Sequence, residues 1–413
     1  NETRRKGKNL SQCSRDSKVF HRISCGETLF REHNWVKRMK VLIVSRGLPQ
    51  PDNPTFGIFE LDQAKALAHE GIEVVFFAVD LRSIRRKRKY GIIKSLYEGI
   101  NCYTISVPLG NVPPNIFCTV GSVALNYLYK EVFRNAAQPD VIHAHFHRQG
   151  YMAAALSKKT GIPLVITEHS SDMEKANIDP MLLKYATRGY RQAKKVIAVS
   201  SSLAKKIYDY TGVKCDVINN IVDTELFTPK TEGKIRGNFR FISVGRLAEP
   251  KKVEDLIIAF AKVNSQRKNI RLDIYGAGEK MLLAEGLIQE NHLADKVKLW
   301  GAVKRSDLPL ALKEADCFIL LSNSETFGVA YIEALASGTP VIATRCGGPE
   351  EFMKPEYGLL INKNSVDEAK DAMIYMLDNV GCYSSKKISI EIRTRFSPES
   401  IGKQLVAEYR EII

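Results

Sequence analysis

The sequence predicts two α/β domains that face each other across a cleft, each built on a doubly wound parallel sheet. Three observations predict it. The chain has 413 residues, enough for two cores of ordinary size. Short β-branched or apolar runs alternate with longer amphipathic stretches, the rhythm of βαβ units with buried parallel strands. That rhythm stops once, at a polar stretch, and then restarts.

Residues 1–38 carry ten Lys and Arg against four Asp and Glu, are rich in Ser, and lack both hydrophobic periodicity and the apolar core of a signal peptide. They read as a disordered basic extension or upstream read-through, with the folded chain expected to begin near Met39. The strands then follow in order: KVLIVS (40–45), EVVFFA (73–78), VIHAHF (141–146), PLVITEH (163–169), KVIAVS (195–200) and CDVINN (215–220). The polar stretch FTPKTEGKIRGN (227–238) breaks the pattern. A second series, FRFISVG (239–245), RLDIYG (271–276), VKLWG (297–301), CFILLS (317–322) and PVIATR (340–345), completes a second sheet. The expected domains are 39–228 and 229–395. In the closing segment, 396–413, Ser397 stands as a helix N-cap with Pro398 at the first helical position, followed by apolar residues at helical spacing.

Composition narrows the function. No apolar run approaches the ~18 residues of a membrane span. The eight cysteines show no C-x-x-C spacing, which argues against a zinc cluster or a disulfide scaffold and fits a reducing cytoplasm. The net charge of +15 is partly the work of the basic extension, and no nucleic-acid-binding motif accompanies it. Arg85–Lys89 is a run of five basic residues beside apolar ones, suited to an anionic membrane surface or to a solvated loop.

The chemistry concentrates in SNSETFGVAYIEALASGTPVIATRCGGPEE, residues 322–351, directly after an apolar strand. Glu325 falls in the strand-to-helix loop, Gly328 allows close backbone approach, and Glu333 lies on a helix that stops at Gly338. The amides of Thr326, Phe327, Gly328 and Val329 at the helix start suit a phosphate. Two carboxylates eight residues apart, ~12 Å if all were helical, can accept hydrogen bonds from hydroxyls at opposite ends of a nucleotide sugar. In isolation such a pair is more often a helix cap and a solvated side chain.

This window resembles the E-x7-E signature of glycosyltransferase family 4, retaining enzymes of the GT-B fold with two facing Rossmann-like domains. FISVGRLAEPKK (241–252) and YGAGE (275–279) are similar to two further elements of that family. PDVIHAHF, ITEHSSD, IAVSSSLAKKI and VINNIVDTELFTP resemble its ordered N-terminal markers. The likeness runs from Met39 to Ile413. It implies transfer of a sugar from a UDP- or GDP-sugar to a hydroxyl of a glycan or lipid-linked acceptor, with no cofactor and no metal. It also implies that Arg246 and Lys251 hold the donor diphosphate, although Lys252 and Val253 stand where the family has Lys-Gly. Gly57 and Gly328 approach the phosphates, His169 and Glu325 contact the donor sugar, Glu333 takes the ribose, and Gly301–Val303 border the base. The N-P-x-x-G-x-F arrangement at 53–59 is similar to enzymes of surface-polysaccharide and teichuronic-acid assembly. Three other classes stay open: a non-catalytic nucleotide-sugar-binding partner subunit, a nucleic-acid binder and a sugar-nucleotide epimerase. His143, His145 and His147 alternate without a carboxylate or cysteine beside them, a poor metal set.

Overall fold

The computed structural model describes residues 38–50, 56–85, 88–229 and 237–413. The expected extension, apart from Arg38, lies outside the described residues, as do 51–55 of the first loop and Arg86 and Lys87 of the basic run. Residues Arg38–Ile413 form one unit.

The chain enters through β1 (Lys40–Ser45), α1 (Ile58–His69), β2 (Glu73–Asp80), β3 (Gly91–Tyr97) and β4 (Ile100–Ser106). It continues through α2 (Pro114–Phe133), β5 (Val141–His145), α3 (His147–Thr160), β6 (Leu164–Glu168) and α4 (Pro180–Gln192). β7 (Lys195–Ala198), α5 (Ser201–Thr211) and β8 (Asp216–Val217) close the first lobe. The second lobe holds β9 (Phe239–Val244), α6 (Val253–Gln266), β10 (Ile270–Tyr275), α7 (Met281–Glu290), β11 (Val297–Gly301) and α8 (Leu308–Glu314). It ends with β12 (Cys317–Leu320), α9 (Val329–Ala336), β13 (Val341–Thr344), β14 (Gly358–Ile361), α10 (Val366–Asn379) and α11 (Ser385–Phe396), before α12 (Pro398–Arg410).

Among the described residues the strands make two sheets, ordered β3-β4-β2-β1-β5-β6-β7-β8 and β11-β10-β9-β12-β13-β14. Every pairing is parallel except β3 with β4. Val41, Leu42, Ile43 and Val44 of β1 are fully buried, as a central strand covered on both faces requires, each contributing roughly 1.5–3 kcal/mol. This is the GT-B architecture, with both sheets presenting their strand ends to a shared crevice.

Three strands escape the sequence rhythm. β3 and β4 form an antiparallel hairpin whose two-residue turn, Glu98 and Gly99, has positive φ at both positions, the turn whose twist matches paired strands. The stretch read as a basic loop therefore becomes an edge strand after Tyr90. β14 is four residues long and also lies at an edge. CDVINN contracts to a two-residue strand, after which Ile218 enters the core shared with α12 and Asn220 meets His169.

Ser397 caps α12 as expected, its Oγ accepting from the Ser400 amide at 3.1 Å. The helix crosses back to the first lobe, where Ile401, Leu405 and Tyr409 share a core with Leu61, Ala64 and Leu67 of α1. Tyr409 also bonds His143 Nδ1 through its hydroxyl at 2.5 Å. The last helix thus ties the two lobes together.

Candidate functional site

The second lobe supplies most of the predicted residues. β12 delivers the chain to a loop in which the Glu325 amide donates to Cys346 O, at 3.3 Å, and Glu325 O accepts from the Gly348 amide, at 2.7 Å. Pinned at both ends, the Glu325 side chain forms an ion pair with Lys251. Burial pushes the Lys251 ammonium down to about 8. Lys252 points elsewhere, toward Glu249 at 3.5 Å and Glu254 at 3.7 Å. The choice between the two lysines is settled for the inward side chain: it is Lys251.

Gly328 caps α9 with φ +99, and a Cβ there would fall 2.6 Å from the Tyr331 ring. Among the described residues, no acceptor takes the amides of Thr326, Phe327, Gly328, Val329 or Ala330, so the first turn of α9 offers a set of unpaired N–H donors. The side chains in this turn do other work. Phe327 is fully buried against Phe352 and Phe396, so only its backbone is available to a ligand. The Thr326 carbonyl accepts from Ser200 Oγ at 2.6 Å, and Ser200 also caps α5, which fixes the loop to the first lobe.

Glu333 lies one turn into α9 on the wall of a cavity of about 310 Å³ between the lobes. Ile58 and Phe59 of α1 form one side; Arg246, Tyr275, Val303 and Arg305 contribute to the other. Tyr275 is stacked on Trp300 at 5.3 Å with the rings 5° from parallel, giving that wall a flat, rigid aromatic layer. Arg246 is exposed and makes no ion pair among the described residues. Arg305 reaches Glu333 Oε1 at 2.8 Å and Asp62 of α1 at 3.2 Å, spanning the crevice. Burial pushes the Glu333 and Asp62 carboxyls above their usual range while Arg305 draws both back, because one guanidinium serves two carboxylates.

The first lobe brings His169 to the same crevice from the end of β6. Its Nδ1 faces Asn220 Oδ1 at 3.0 Å and its Nε2 faces His145 Nδ1 at 3.1 Å. Burial pushes the His169 imidazole down to about 4, against the pull of Glu60 and Glu168. A neutral ring that donates from Nδ1 to Asn220 accepts at Nε2 from His145. The ring packs between Phe59, at 5.9 Å, and Phe146, at 5.1 Å. Phe59 belongs to the inter-lobe cavity, and Phe146 to a second cavity of about 570 Å³ in the first lobe. His169 therefore separates two spaces that could each hold a reactant.

Beneath it, Glu168 is fully buried. Its Oε2 accepts from the Tyr190 hydroxyl at 2.5 Å and its Oε1 from the Ser170 amide at 2.7 Å. Burial alone would raise this carboxyl, but His147 and these donors hold it below its usual value. Gly57 caps α1 with φ +77, and a Cβ would come within 2.2 Å of Gly47 O, so the turn into α1 admits only glycine.

The Phe327 side chain is taken up by the core, and the expectation for this residue concerned only its amide. One expectation needs correction. The basic run Arg85–Lys89 is not a uniform surface patch, because Arg88 folds inward with its side chain 4% exposed. Arg88 pairs with Asp80 at 3.3 Å and donates to the Arg82 and Ser83 carbonyls, which need a donor once the chain turns there. Of the described members, Arg85 and Lys89 remain exposed.

Arg305, Asp62, Glu168 and Asn220 were not singled out in the sequence. Asn220 and Glu168 lie inside quoted markers and were findable there. Arg305 and Asp62 carry no local signal and meet only through the fold.

Known proteins were compared with this chain. The model described as Glycosyltransferase Family 4 matches residues 60–226, and that described as Glycosyl transferases group 1 matches residues 227–395. Among curated relatives, the N-acetyl-alpha-D-glucosaminyl L-malate synthase of Bacillus anthracis is 24% identical over 372 residues, covering 86% of this chain and 94% of its own. Among solved structures, the sucrose-phosphate synthase of Thermosynechococcus elongatus superposes with a TM-score of 0.74 at 22% identity, over 91% of this chain and 99% of that one. The Anabaena protein HepE, solved in complex with UDP, has a TM-score of 0.69 at 19% identity, covering 91% of this chain and 100% of that one.

Proposed function

The chain belongs to glycosyltransferase family 4, and from that premise we propose that it moves a hexose-type sugar from a UDP- or GDP-sugar to an acceptor hydroxyl with retention at the anomeric carbon. The observation that carries this is the start of α9. Its unpaired amides lie between two glutamates, one beside Lys251 and the other in the wall of the inter-lobe cavity with Arg246. In this reading the base lies against Tyr275 and Val303, and the ribose takes Glu333. The diphosphate rests on the amides of Thr326–Val329, near Gly57, with Arg246 and Lys251 as its cations. The donor sugar lies toward Glu325 and His169.

Departure of the nucleoside diphosphate breaks the bond from C1 to the phosphate oxygen and leaves a charge that Arg246, Lys251 and the amides stabilise most when it is largest. The acceptor oxygen bonds to C1 on the same face, and its proton passes to the departing phosphate. No protein nucleophile and no metal is needed in this route. The partner-subunit reading loses ground because the Arg, Lys and Glu set is complete.

The setting proposed is cell-surface polysaccharide or glycolipid assembly at the cytoplasmic face of a membrane. No helix among the described residues is long and apolar enough to cross a membrane. Exposed Ile84, Tyr90 and Leu96 beside Arg85, Lys89 and Lys94 supply the mix of apolar and cationic groups that an anionic bilayer surface attracts.

Calorimetry with UDP and GDP, followed by sugar transfer, tests the assignment. Glu325→Ala is expected to reduce transfer while leaving nucleoside diphosphate affinity nearly intact, and Glu333→Ala to weaken both. Wild-type transfer by folded Glu325→Ala would overturn the assignment of this site.

A further inference from the structure

The 570 Å³ cavity of the first lobe is unlike the inter-lobe one, because its wall is cationic. Arg46, Arg82 and Arg148 line it, each laid on an aromatic ring: Arg46 on Phe146 at 3.6 Å, Arg82 on Phe56 at 4.5 Å and Arg148 on Phe117 at 4.9 Å. Two are held from behind by buried carboxylates, Arg46 by Glu60 at 3.1 Å and Arg82 by Asp80 at 2.8 Å. Arg148 makes no ion pair among the described residues. Among the described residues the one carboxylate on the wall, Asp172, is taken by Lys175 at 2.6 Å.

Arg148 is in the first turn of α3, whose leading amides open onto the same cavity. A second observation there points to a ligand. His147 is 4% exposed and lines the cavity, and both its ring nitrogens are buried without a hydrogen-bond partner, Nδ1 lying 3.3 Å from Glu168 Oε2 and Nε2 facing away from that carboxylate. A polar nitrogen buried and left unmatched is costly, so it is better explained by a ligand than by packing. An oxyanion would be received by Arg148 and by the α3 amides, and a ligand hydroxyl or acid proton beside it by His147 Nε2.

We infer that this cavity is the acceptor subsite and that the acceptor carries an oxyanion, a phosphate or a carboxylate, bound between Arg148, His147 and the start of α3. The acceptor hydroxyl then turns toward His169 and the donor. This rests on the glycosyltransferase reading above, which by itself leaves the acceptor's charge open.

The test uses the full chain saturated with UDP, so that the donor phosphate site is filled, titrated with inorganic phosphate by calorimetry. One phosphate per chain is expected, with affinity falling roughly tenfold or more in Arg148→Gln, recovering in part in Arg148→Lys, and UDP affinity unchanged in both. His147→Phe, which keeps an aromatic ring but no nitrogen, should weaken phosphate as well. Displacement of phosphate by glycerol 3-phosphate or by vesicles containing phosphatidic acid tells a soluble acceptor from a lipid one. If the UDP-loaded chain binds no phosphate, or Arg148→Gln binds it as tightly, the inference is wrong and the donor assignment stands. Failure to bind UDP or GDP at all would instead remove the reading on which it rests.

Discussion

The two cavities differ in how their polar groups are held. Around the inter-lobe cavity the carboxylates are matched by cations: Arg305 takes Glu333 of the wall and Asp62 behind it, and Lys251 takes Glu325 at the far end of the α9 start. In the first-lobe cavity two of the arginines are pinned by carboxylates behind them, leaving their faces and a third arginine to the space. The first arrangement suits a ligand with both hydroxyls and phosphates, because each ion pair can be reopened to offer a donor and an acceptor. The second suits an anion that finds its cations already in position, with little side-chain entropy left to lose. The proposed donor and acceptor sides thus differ in preorganisation as well as in charge.

The largest expected effect breaks the donor side. Arg246→Ala or Lys251→Ala removes a cation that matters most in the transition state, and turnover should fall by ~2–4 kcal/mol, or about a hundredfold to a thousandfold. Ground-state affinity for UDP should fall less. Single-turnover rates set against calorimetric affinities check the split; equal losses in the two would reduce these residues to simple binding groups.

Arg305 tests whether the lobes are held by the same group that orients Glu333, the proposed ribose contact. Arg305→Met leaves Glu333 and Asp62, 8% and 13% exposed, with no cation between them. Breaking such a buried network should destabilise the fold by roughly 3 kcal/mol near neutral pH. The loss should shrink as pH falls, because carboxyls whose folded pKa is raised are penalised only while ionised. Denaturant melts at pH 7 and pH 5 measure this, and a loss independent of pH would point to packing instead.

On the acceptor side, Arg85→Gln with Lys89→Gln should weaken sedimentation with anionic vesicles by at most about 2 kcal/mol, some thirtyfold, at ~1 kcal/mol per charge. Turnover of a soluble acceptor should be spared. Arg88→Gln makes the contrast: this side chain is buried on Asp80, so it should lower stability without a specific effect on vesicles.

The same contrast explains what was legible in the sequence. Glu325, the α9 amides and Glu333 occupy one short stretch, because a strand, a loop and a helix start suffice to build a phosphate and sugar site. Their residue types and spacing therefore appear in order along the chain. Arg46, Arg82, Arg148 and Ser170 reach one cavity from the ends of different strands, and nothing in the local sequence joins them. The β3–β4 hairpin was hidden by its own chemistry: an edge strand largely exposed on both faces tolerates Lys94 and Ser95, and the basic residues before it read as loop. Arg88 looked like its neighbours, since only the fold places Asp80 beneath it.

The smallest effect sharpens the donor side through pH. Lys251 is pushed down to about 8 by burial, so in the free protein it loses its proton within reach of ordinary assays. A diphosphate needs the charged form. Affinity should therefore be full below about pH 8 and should weaken above it, by at most tenfold per pH unit, or about 1.4 kcal/mol. The second ionisation of the ligand's phosphate lies near 6 and adds nothing in that window. Folding stability carries the opposite sign: a lysine whose folded pKa lies below its unfolded value makes the fold more stable as pH rises between the two. UDP affinity and melting midpoint, each measured at pH 7 and pH 9, should move in opposite directions in the wild-type chain, and both trends should flatten in Lys251→Gln. If the affinity trend persisted in Lys251→Gln, the titrating group would lie elsewhere, and the inward lysine would be a partner of Glu325 alone.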